Sequence, residues 1–117
     1  MALPHAQLLD VIGVQPLGDK LIDAFSTSLI KTGRLQLLHL VLPAREDMPE
    51  HHVDDECCIH CLEGDVEVVM PGGSRRLTAG QLVVLPARQR HALSAHADSA
   101  VLLTLMLRHG YATPDAG

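Results

Sequence analysis

Short apolar runs rich in Leu and Val, separated at regular intervals by turn residues and never joined into a long 3.6-residue pattern, constrain this chain to an all-β fold. The runs fall at residues 26–31, 35–42, 57–62, 65–70, 74–78, 81–85, 90–96 and 100–107, a number of strands suited to a sandwich or barrel. Pro71-Gly72-Gly73 supplies a tight turn after Met70, and Ala79-Gly80 supplies another before Gln81. Residues 1–25, with Gly13, Pro16 and Gly18, alternate poorly and read as an irregular arm or short helix. The barrel is expected over 26–107 and a flexible tail over 108–117.

At 117 residues the chain is one domain, long enough to hide roughly two-thirds of its unfolded surface. Leu35–Leu42 and Val101–Leu107 are apolar on both strand faces, which a half-exposed sheet does not tolerate. The arm or a second subunit must cover their outer faces, and an isologous homodimer is the expected answer.

Composition narrows the ligand. Trp is absent and Phe25 and Tyr111 are the only aromatics, so a pocket here is lined by aliphatic groups. Ligands held mainly by ring stacking, such as nucleobases or exposed sugars, fit poorly. Small polar acids or thiols suit better. The net charge is -5 and no basic run exceeds Arg75-Arg76, which excludes the footprint of a nucleic-acid binder. No apolar run approaches a membrane span and the first residues lack a signal-peptide pattern. Cys57, Cys58 and Cys61 are too few and too crowded for a disulfide framework. A cytoplasmic protein is expected.

Two segments carry the chemistry: Glu50-His51-His52-Val53, continuing to Cys57, His60 and Gly64, and Gly80 to His91 through Pro86, Arg88 and Arg90. Together they resemble the paired motifs of the cupin superfamily, whose small barrel holds a metal ion at its mouth on histidines and a carboxylate. The first family motif runs His-x-His, a spacer of three or four residues, a Glu, and a Gly after six more. Counting back from Gly64 puts Cys57 at the Glu. The longer spacer puts Glu50 and His52 at the histidines, and the shorter puts His51 and Val53 there; both frames stand. In the second motif Gly80, Pro86 and His91 sit at family spacing, while Arg88 replaces a Gly and Ala95 an Asn.

The resemblance implies a double-stranded β-helix, or jelly-roll, barrel with a divalent transition metal (Fe, Mn, Ni, Cu or Zn) and a small-molecule ligand. His91 and one or both of His51 and His52 would supply imidazoles, with Cys57, Glu50 or His60 completing the shell. Strand alternation sends His60 outward if Cys57 points inward, unless a bulge reverses it. Arg88 and Arg90 could hold an anionic substrate at the rim, and His96 is a loop residue near the mouth. Acids from Glu46 to Glu56 make a field that attracts cations.

The chemistry implied is metal-assisted oxidation, isomerisation or lyase action on a small polar molecule. The competing expectation is a metal-free module that binds or senses a small ligand, motivated by the replaced Glu, Gly and Asn. A redox sensor at Cys57 or Cys58 is a third reading and requires an exposed thiol of lowered pKa. Sugar epimerisation of the kind some cupins perform needs a Tyr acid, for which only Tyr111 in the tail is available.

Overall fold

The computed structural model describes residues 5–107. Nine strands form in this range: β1 Thr27–Lys31, β2 Leu35–Leu42, β3 Asp47–His51, β4 Cys57–Glu63, β5 Asp65–Met70, β6 Gly73–Thr78, β7 Leu82–Leu85, β8 His91–Ala95 and β9 Ser99–Met106. They pair antiparallel into a five-stranded sheet, β1-β2-β9-β4-β7, and a four-stranded sheet, β3-β8-β5-β6. The two face each other as a jelly-roll barrel. A 3-10 turn over Gly18–Asp23 lies in the arm. Tyr111, His109 and the expected flexible tail lie outside the described residues. Among the described residues no helix is long and apolar enough to cross a membrane.

Alternation decides what each strand buries. Cys57, Ile59 and Cys61 of β4 are inward, against Val101 and Leu103 of β9, and Val66, Val68, Leu93 and Ala95 come from the other sheet. β9 is central, paired along its whole length with β2 from Leu35↔Met106 to Leu42↔Ser99 and with β4 on its other side. Most of the apolar weight of the sequence sits in these central strands for that reason.

One strand departs from the sequence expectation. Residues 47–51 fall in none of the expected strand runs, yet they form β3 at an edge of the four-stranded sheet. Pro49 removes an amide donor and the register slips between Met48 and His51, both of which an edge strand tolerates. A bulged strand with one Pro and one apolar residue gives no period-two signal.

The outer face of the five-stranded sheet is covered at one end. The Glu63 carboxylate accepts hydrogen bonds from the Leu17 and Gly18 amides at 2.7 and 3.1 Å, tying the arm beside Ala100, and Leu21 of the arm is buried. Towards the other end Leu82, Val84 and Met106 stay exposed, at 54%, 57% and 38%.

Candidate ligand site at the barrel mouth

The β3–β8 register places His51 directly opposite His91. On β8 the alternation that buries Leu93 and Ala95 also turns His91 inward, where it is 1% exposed. The two imidazoles stand with ring centroids 4.4 Å apart and planes tilted by 55°. Each Nδ1 meets a backbone carbonyl two residues earlier in the chain, His51 at Pro49 (3.0 Å) and His91 at Gln89 (2.9 Å). A carbonyl only accepts, so each Nδ1 carries the proton and donates it, and each Nε2 keeps a free lone pair. Burial pushes the His91 pKa below its ordinary value; the Gln89 carbonyl opposes this and neighbouring His51 adds to it. His91 is therefore neutral at pH 7, an acceptor or a metal donor.

The register also separates the two motif frames. Exposed His52 faces away from the interior, whereas His51 faces inward and Val53 packs against the core. This is the shorter-spacer frame, with Val53 at the second histidine position and Cys57 at that of the Glu. Cys57 is inward but 3% exposed, its thiol pushed up first by burial and then by Cys58.

The other expected positions are not brought to the pair. His60 lies on the outer face, because the irregularity in β4 falls between Cys61 and Glu63, beyond it, and cannot reverse it. His96 was expected near the mouth, but it follows Ala95 at the far end of β8 from His91, with its ring against Glu67 at 2.9 Å. Glu50 is half-exposed and held by Arg90 at 2.7 Å. Arg88 is exposed and takes a positive φ of 63°, its amide bonded to the Val53 carbonyl at 2.9 Å.

Among the described residues no group of three or more His, Cys, Asp or Glu side chains is gathered as a metal ion would need. Two imidazoles converge and no third donor joins them, so the donor set falls short of a complete metal site. The redox-sensor reading loses its footing as well. Cys57 and Cys61 are buried, Cys58 is half-buried, and burial raises all three thiols rather than activating them.

Sequence reasoning missed Arg75. It pairs with Val68 while Leu77, two residues on, pairs with Val66; Val66, Val68 and Leu77 are all buried, so Arg75 shares their strand face but is exposed at the rim, where β6 runs past the core. With Met70, Gly72, Gly73 and Gln89 it lines a cavity of about 200 Å³. Counting alternation back from Leu77 would have found it, but Gly73-Ser74-Arg75-Arg76 reads as a polar turn.

A two-sheet antiparallel jelly roll with paired histidines at one end defines a class of small single-barrel proteins. The family model for the cupin domain matches residues 38–107, and the chain belongs to that family. Among solved structures it is similar to a cupin superfamily protein from Desulfitobacterium hafniense DCB-2 (TM-score 0.72, 17% identity, covering 87% of this chain and 99% of that one). It also resembles a conserved protein of unknown function from Streptococcus pyogenes (TM-score 0.69, 20% identity, 91% and 94% covered). A cupin-2 domain protein from Shewanella frigidimarina NCIMB 400 is similar too (TM-score 0.64, 15% identity, 80% and 94% covered). At these identities the likeness shows the fold. Among curated proteins none matches the chain.

Proposed function

We propose that this cupin binds a small polar molecule at the barrel mouth, where the Nε2 atoms of His51 and His91 accept hydrogen bonds from the ligand's hydroxyl or amine groups. The observation that carries this reading is the fixing of both Nδ1 atoms by the Pro49 and Gln89 carbonyls, which leaves two lone pairs on one inward face. Buried and neutral, His91 offers an acceptor without a charge to desolvate. Aliphatic walls from Val53, Met48 and Met70 suit a ligand held by a few polar contacts.

A second reading is favoured by the same geometry: paired imidazoles with carbonyl-held Nδ1 atoms are also what a divalent transition metal takes from a protein. Such an ion would use His51 and His91, with water or ligand in the remaining positions, and would polarise a bound oxygen. Elemental analysis of untagged protein, before and after anaerobic reconstitution with Fe, Mn, Ni, Cu and Zn, separates the two. The first reading expects well under one metal per chain, and thermal stabilisation by members of a panel of small polyols, hydroxy acids and thiols that is lost in His51→Ala and His91→Ala. About one metal per chain, lost in both variants, would establish the second. We also propose a homodimer through the uncovered outer face that carries Cys58, His60, Val84 and Met106.

A further inference from the structure

We infer that Arg75, with the Gln89 side chain and the Gly72-Gly73 backbone, forms an oxyanion subsite at the mouth, so that the ligand carries a carboxylate or phosphate beside its hydrogen-bonding group. The inference rests on the reading that the His51–His91 pair binds the ligand.

The placement of Arg75 carries it. In a chain with more acids than bases, Arg76 on the outer face is bidentate with Asp65 at 2.8 and 2.6 Å, and Arg90 is held by Glu50. Arg75, exposed at the rim on the face it shares with Leu77, has only the Ser74 carbonyl at 3.1 Å and no carboxylate among the described residues. Its planar fork is free to take an oxyanion through two parallel N–H bonds. The backbone at Gly72 leaves open space, since a Cβ there would meet nothing within 4 Å, and Arg75 itself is the nearest group to one at Gly73.

The cavity adjoins the imidazole pair. The β5–β8 register runs from Val66↔Ala95 to Val69↔Ala92, and one further step sets Met70, a wall of the cavity, opposite His91. Gln89, another wall, holds the His91 Nδ1 proton on its own carbonyl. Arg75 itself lies level with Leu93, two residues along β8 from His91, but its guanidinium reaches back beside Gly73, which stands two strand spacings from His91, roughly 10 Å. The ligand that joins both is therefore short: a small hydroxy acid or its phosphorylated counterpart. Arg88 and Arg90, which flank Gln89 in sequence and were expected to hold an anion, do not line this cavity, and Arg90 is already paired.

The test is a ¹H–¹⁵N NMR titration of the full chain with three probes: acetate, inorganic phosphate and glycolate. Acetate and phosphate are expected to move the Gly73 amide, Arg75 Nε–H and Gln89 side-chain signals saturably, and the tighter of the two identifies the natural oxyanion. Arg75→Gln is expected to weaken both by about tenfold or more, Arg75→Lys by less, and Arg88→Gln not at all; retained signal dispersion verifies each fold. Glycolate is expected to bind more tightly than acetate in wild type and to fall to acetate's level in His91→Ala. Non-saturating responses in wild type, or binding that survives Arg75→Gln, would overturn the subsite. Acetate binding lost with Arg75, without any gain for glycolate, would uphold the subsite and remove the role of the imidazole pair.

Discussion

Gly64 and Gly80 have similar backbones and opposite surroundings, which makes them a matched pair for measuring what a close approach contributes. Their φ values are +93° and +89°, a region L side chains rarely adopt. A Cβ at Gly80 would meet nothing within 4 Å. At Gly64 it would run into the Ser99 hydroxyl and the Asp98 carbonyl oxygen, with the Ser99 Cα at 2.7 Å. Ser99 cannot retreat: it is fully buried, its Oγ accepting from the Asp65 amide at 2.9 Å and donating to the Ala97 carbonyl at 2.7 Å. Alanine at either position incurs backbone strain of about 1–3 kcal/mol. At Gly64 overpacking against fixed backbone adds about 1–3 kcal/mol more. For a domain of this size roughly 4 °C of melting temperature corresponds to each kcal/mol. Gly80→Ala should then melt about 4–12 °C below wild type, and Gly64→Ala about 8–24 °C below. Urea denaturation followed by circular dichroism, with equal m-values, gives the free energies directly. Equal midpoints for the two variants would refute the argument, since strain alone would then account for both.

Three further outcomes follow from the structure. The folded-state pKa of His91 is depressed below about 6.5, so the unfolded chain takes up the proton first; stability should be full above that pH and decline as pH falls through the folded value, with a shallower decline in His91→Gln on pH-resolved urea melts. With Cys57 and Cys61 buried and Cys58 half-buried, Ellman's reagent at neutral pH should modify at most one thiol in the native protein and three in urea, whereas rapid reaction of all three would contradict the burial. Light scattering should return twice the 12.6 kDa chain mass for wild type and a single chain mass for Val84→Glu; a monomeric wild type would show that the exposed face is not a dimer interface.

The central strands were legible because both of their faces are apolar and their turns are explicit: β2, β9 and the β5–β6 hairpin at Pro71-Gly72 follow directly from residue type. His60 was half legible, since alternation tied it to Cys57 and only the location of the bulge, past Cys61, decided the outcome. Choosing between His51 and His52 needed a register, and that register belongs to β3, whose Pro49 and bulge erase the pattern by which strands are recognised. Arg75 went unread for a different reason. An arginine beside glycines looks solvated in one dimension, and only the cross-strand partner Val68 reveals the face it occupies. The two motif glycines were visible as letters, but the contact with Ser99 that separates them joins residues 35 positions apart.

His51 and His91 are held unequally. His91 begins a strand flanked on both sides, by β3 and β5, whereas His51 ends an edge strand with one neighbour and a slipped ladder. Edge segments with few cross-strand bonds open at lower free energy than central ones. On the proposed reading, the mouth would work as a caliper with one fixed jaw and one compliant jaw: His91 would set where a ligand sits, and His51 how large it can be. Such a device would give up some affinity for a single best-fitting molecule and gain tolerance for a graded series of related ones.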